Sequence, residues 1–204
     1  MFFVVIVITL LLVPTEDAVS SVMKMPRPLP DIVKAYKSVN LPAGRIGMLD
    51  SGVQLKQGDY ITILAKGAIN VWPKYGGNLY LYGPRKLLVY RLGEKDFARP
   101  YKGPELIWVG ENGRLFLGYR GSKLDVLGDP QRPEYSYYAD DIGAFDIDII
   151  VWKTNDSTLI VKIFEEASLA RPKDETLRET VQEFRKRQEV LAALKEKTKE
   201  VEGI

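Results

Sequence analysis

Cysteine and histidine are both absent from the 204 residues. Without cysteine there are no disulfide scaffolds, thiolate–zinc sites, thiol nucleophiles or lipidated N-terminal cysteine. Without histidine there are no Ser-His-Asp triads, imidazole metal sites or imidazole acid–base catalysis. An excess of either charge is missing too. Lys and Arg number 29 against 27 Asp and Glu, a net charge of +2, so there is no electrostatic footprint for nucleic acid. Hydrophobic residues, at 46%, are plentiful enough for a full core. Carboxylates, lysines, phenols, hydroxyls and backbone groups remain for chemistry. They suit an oxygen-ligated cation such as calcium, and suit binding better than catalysis.

Met1 to Val13 is one apolar run. It is shorter than the about 20 residues of a membrane span and matches the apolar region of a signal peptide. Ala18-Val19-Ser20 puts small residues before a predicted cut at Ser21. Residues 1–20 therefore read as a signal peptide with no stable membrane span, and the product as exported, periplasmic or extracellular. A short uncleaved anchor or a buried strand stays open for this segment. Pro26, Pro28, Pro30 and Pro42 mark residues 21–44 as a Pro-rich linker, with one helical turn near Asp31.

From residue 45 to 166, short runs rich in Val, Ile, Leu, Tyr and Phe alternate with turn signals. Strands are expected at 46–50, 60–66, 87–92, 106–109, 114–119, 145–152 and 158–164. The turns are Gln57-Gly58-Asp59, Gly110-Glu111-Asn112-Gly113 and Lys153-Thr154-Asn155-Asp156, among others. This pattern predicts an all-β, antiparallel sandwich. In Phe145-Asp146-Ile147-Asp148-Ile149 the alternation predicts one buried face, with both carboxylates in water. Asn155-Asp156-Ser157 is a glycosylation sequon, read as a hairpin turn.

Two connections are long. The stretch 71–86 carries Trp72, Tyr75, Tyr80 and Tyr82, and 121–141 carries Tyr135, Tyr137, Tyr138, Asp140 and Asp141. Long ordered loops tend to be functional. Their rings suit stacking on the apolar face of a sugar, or else sealing the loops against the sandwich.

Four blocks carry a resemblance across 56–152. They are Gly58-Asp59-Tyr60-Ile61-Thr62-Ile63-Leu64-Ala65-Lys66-Gly67, Leu88-Val89-Tyr90-Arg91-Leu92-Gly93, Arg114-Leu115-Phe116-Leu117-Gly118-Tyr119 and Asp140-Asp141-Ile142-Gly143-Ala144-Phe145. In order and approximate spacing the set resembles the bacterial calcium-dependent galactose-binding lectins of the PA-I type. The resemblance implies a jelly-roll-like antiparallel β-sandwich that binds carbohydrate and is not an enzyme. It implies calcium held by Asp140, Asp141 and the backbone carbonyl of Val71, with Trp72, Tyr75 and Tyr138 close by as sugar-binding rings. The family's aspartate two residues after the strand tyrosine is Gly121 here, preceded by Arg120. Arg120 could replace the metal by pairing with Asp140 and Asp141, or Asp125 could supply the missing ligand. The family's galactose-contacting histidine has no counterpart, so strict galactose specificity does not carry over.

Residues 171–202 differ in kind. The last 34 residues hold nine Lys or Arg and eight Asp or Glu. Asp174 or Thr176 can cap a helix there. Leu177, Val181, Phe184, Leu191 and Leu194 form a narrow apolar stripe, interrupted by Gln188. The stripe needs a partner, either the sandwich itself or a second chain in a short coiled coil. The second arrangement would make a homo-oligomer, and the high charge on the remaining faces favours it. An alternative function follows: a structural or assembly protein that has lost its sugar site and associates through this helix.

Overall fold

The computed structural model describes residues 21–45, 47–93, 98–120 and 140–202; the side chains of Tyr75, Gly76, Lys195 and residues 199–202 lie outside the description, as does the expected signal peptide. Among the described residues nine strands run in chain order: β1 Val33–Pro42, β2 Leu49–Leu55, β3 Tyr60–Asn70, β4 Leu81–Tyr82, β5 Leu88–Leu92, β6 Arg99–Pro100, β7 Ile107–Trp108, β8 Gly113–Tyr119 and β9 Ile142–Trp152. Four α-helices accompany them: α1 Pro73–Gly76, α2 Pro84–Leu87, α3 Ser157–Ala170 and α4 Glu175–Glu202. One sheet has the order β1-β9-β3-β4, with β7 also paired to β3; the other has the order β2-β8-β5-β6, and all pairings are antiparallel.

The two sheets pack face to face over Ile61, Ile63, Leu115, Leu117, Phe145, Ile147 and Ile149. These residues sit at every second position of their strands, which is the pleat's own period. The other face of β3 and β9 carries Leu64, Ile150 and Trp152, and it is covered as well. Val22, Met23, Ile160, Val161, Phe164, Leu177 and Phe184 lie over it. The molecule therefore has three layers: sheet, sheet and helices. Trp152 meets Phe164 edge-on at 5.7 Å, Phe164 meets Phe184 at 5.1 Å, and the Trp152 indole donates to Thr62 Oγ1 at 2.9 Å.

This third layer corrects four expectations. Residues 158–164 form a helix, not a strand, so a second long helix joins the expected C-terminal one beside the antiparallel sheets. Asp156 accepts from the Thr158 and Leu159 amides at 2.8 and 3.3 Å and starts α3 as its N-cap, where a hairpin turn was expected. Residues 33–42 of the expected linker are edge strand β1, and Val22 and Met23 are core. Asp148 has no exposed surface at all, because the face it shares with Ile150 and Trp152 lies under the helices.

The stripe of α4 divides. Leu177 and Phe184 are buried on the domain's own sheet, whereas Val190, Leu191 and Leu194 are each more than half exposed. Asp174 is the cap, accepting from the Leu177 amide at 3.2 Å. Among the described residues no helix is long and apolar enough to cross a membrane.

Phe164 joins all parts of the third layer and has no exposed surface. Phe164→Ala should cost about 3–5 kcal/mol, read as a lower urea midpoint. Phe116→Ala, on the partly exposed face of β8, should cost much less.

Candidate functional site

β3 and β9 run side by side to one end of the sandwich, where Asn70 pairs with Ile142. That register puts Val71 and Trp72, leaving β3, beside Asp140 and Asp141, entering β9. The approach is close: a Cβ on Gly143 would meet the Ala68 carbonyl oxygen at 2.2 Å, and Gly143 has φ +108°. Only glycine suits both the contact and the backbone.

Buried Asn70 shapes the loop. Its Oδ1 accepts from the Trp72 amide at 3.0 Å, and its Nδ2 donates to the Gly77 carbonyl. The Val71 amide donates to the Tyr80 carbonyl at 3.2 Å, which closes the loop. Trp72 is consequently held out from the core. It is 50% exposed and stands edge-to-face with Tyr80, centroids 4.9 Å apart.

The two carboxylates differ. Asp140 is partly exposed and pairs with the Lys74 ammonium, Oδ2 to Nζ 3.3 Å. Asp141 is 6% exposed. Its Oδ2 accepts from the Tyr119 hydroxyl at 3.1 Å, and that hydroxyl accepts from the Gly44 amide at 3.0 Å. Asp141 Oδ1 is buried with no hydrogen-bond partner among the described residues. Burial pushes the Asp141 carboxyl up to about 6, the Tyr119 hydrogen bond opposes the rise, and the charge of Asp140 adds to it.

Val71, Trp72, Asp140 and Asp141 are thus brought together. Arg120 is not part of the group: it is exposed, its amide donates to the Leu87 carbonyl at 2.8 Å, and among the described residues it pairs with neither aspartate. Lys74, not Arg120, is the cation beside Asp140. Tyr75 falls in α1 but its side chain lies outside the described residues, as do Tyr138 and Asp125 entirely. Sequence reasoning missed Asn70, Lys74 and the role of the Tyr119 hydroxyl. Lys74, close behind Trp72 in a loop expected to approach two aspartates, was the available signal. An unpartnered buried carboxylate oxygen next to a second carboxylate is a donor set that fits a hard cation, which prefers six to eight oxygens. The described residues nevertheless hold no cluster of three or more acidic side chains.

No known protein-family model matches the chain, and no curated protein matches it. Among solved structures, one described as the EclA N-terminal domain, a PllA-like lectin, superposes with a TM-score of 0.42 at 22% identity, covering 56% of this chain and 94% of that one.

A carboxyl raised from 3.8 to about 6 is protonated in the folded chain over a range where the unfolded chain has already ionised. Stability should then fall as pH rises from about 4 to 6, by roughly 2–3 kcal/mol, and stay lower above that range. Urea titrations of the unmutated chain and of Asp141→Asn should differ in slope across this window, the variant being flat there.

Proposed function

We propose that the protein is a non-enzymatic, lectin-like module that binds carbohydrate at the end of the sandwich where Trp72 stands beside Asp140 and Asp141. The observation that carries the reading is Trp72 itself: a half-exposed indole, braced by Tyr80 and by the Asn70 clamp, next to a polar cluster. A sugar offers the matching chemistry, an apolar ring face to stack and hydroxyls to bond. Nucleophilic catalysis through Cys or His is excluded by composition. In this reading Asp140, Asp141 and the Val71 carbonyl would hold calcium. The cation would offset the two carboxylates and present open positions to sugar hydroxyls, and Lys74 would compete with it for Asp140. The protein would act after export.

Calorimetry against a glycan panel, in calcium and in chelator, tests the site. Trp72→Ala should weaken binding by about 1–3 kcal/mol, the scale of aromatic–base stacking. Its melting temperature should barely move, because the ring is half exposed. Calcium should raise the melting temperature by binding only the folded loop, and Asp141→Asn should abolish the rise. Absence of any glycan binding, in either condition, overturns the reading.

The exposed Val190, Leu191 and Leu194 favour a second reading, assembly through the distal part of α4. Light scattering of Leu191→Glu/Leu194→Glu against the unmutated chain separates the two. Assembly requires the unmutated chain to exceed a monomer and the double variant to be one.

A further inference from the structure

Asp148 sits in mid-strand with no exposed surface, and among the described residues no cation pairs with it. Its four partners are O–H and N–H donors. Ser38 Oγ donates to Oδ1 at 2.7 Å, and Tyr36 Oη, Ser21 Oγ and the Met23 amide donate to Oδ2, the first two at 2.7 and 3.0 Å. Two of these donors come from the same short segment, which is fixed on every side. Ser21 Oγ accepts from the Lys24 amide at 2.7 Å, and Lys24 has a φ of +51°. The Arg171 guanidinium donates to the Val22 and Met23 carbonyls. From β3, Lys66 Nζ reaches the Ser21 carbonyl at 3.4 Å, on the far side of the residue's backbone from its nitrogen. A carboxylate buried without a counter-charge is costly. Ser21 is also the residue that follows the small-residue stretch Ala18-Val19-Ser20.

We propose that the Ser20–Ser21 peptide bond is a processing site, and that the α-ammonium released at Ser21 is the counter-charge of Asp148. The proposal rests on the export reading and is independent of any ligand. In the hydrolysis, water gives its hydroxyl to the Ser20 carbonyl carbon and a proton to the Ser21 nitrogen. That nitrogen takes a second proton from solvent near neutral pH, while the new Ser20 carboxyl ionises. The Ser21 nitrogen is bonded to the Cα whose side-chain Oγ already donates to Asp148 Oδ2 at 3.0 Å, which puts the freed ammonium within reach of the carboxylate. Before cleavage the same nitrogen is an amide and carries no charge. Removing the leader thus adds an ion pair beneath the helices, tying β9 to the mature N-terminus. Among the described residues, the charged or titratable groups facing that end are Tyr36 on β1, Lys66 on β3, Asp148 on β9 and Arg171 after α3.

The test uses the full 204-residue chain, expressed in a bacterial host with its secretion machinery. Mass spectrometry of the exported protein should find Ser21 as the first residue. At pH 7 the folded protein's α-amine should react with an amine-selective acylating reagent about tenfold or more slowly than it does in urea, because each unit of raised pKa removes tenfold of free amine. Asp148→Asn, where it folds, should restore the fast rate. An uncleaved chain, a different first residue, or a Ser21 amine that labels equally fast folded and unfolded overturns the proposal. None of these outcomes depends on glycan binding, so failure here and failure of the lectin-like reading are distinguishable.

Discussion

β9 has a strand on each edge and a packed layer on each face, and the rest of the structure follows from that enclosure. Phe145, Ile147 and Ile149 face the second sheet, and Ile150 and Trp152 face the helices. A sheet buried on both sides needs two covers. The second sheet supplies one; the N-terminal segment, α3 and α4 supply the other. The helices are therefore part of the domain's core, and the ladder Trp152, Phe164, Phe184 is the seam that joins them to the sheet.

The same enclosure explains what was legible in the sequence. Two-residue alternation correctly marked β9 and β3 as strands, and it located the sandwich core. It could not tell water from a second core on the far face, because Asp146 and Asp148 alternate identically in either setting. Asp146, which accepts from Asn40 Nδ2 at 2.9 Å, is partly exposed, while Asp148 is sealed. The uninterrupted Ile149-Ile150-Val151-Trp152 was the sign of burial on both sides. α3 was mistaken for a strand because its apolar, β-branched residues satisfy either period over a short window. Ile160, Val161 and Phe164, three and four apart behind a capping Asp156, are a helical set. β1 was hidden by flanking prolines, which an edge strand tolerates at its end.

The meeting of the two loops was expected from the family resemblance alone; in the structure the pairing of β3 with β9 brings Val71 and Asp141 to the same end. The details of the candidate site were not legible. Whether Asp140 pairs with Arg120 or Lys74 depends on where the chain turns after each strand, and no local pattern encodes that. That the Tyr119 hydroxyl reaches Oδ2 of Asp141, while Oδ1 has no partner among the described residues, is likewise a property of three-dimensional packing.

α4 extends over 28 residues, about 42 Å at 1.5 Å per residue. Among the described residues its last inward polar tie is Gln188 Nε2 to Ser157 Oγ, at 3.2 Å. Beyond it the helix continues over residues 189–202 for roughly 20 Å, and its base is anchored by Leu177 and Phe184. The direction in which that helix leaves the sheets is set by how Phe184 seats on Phe164.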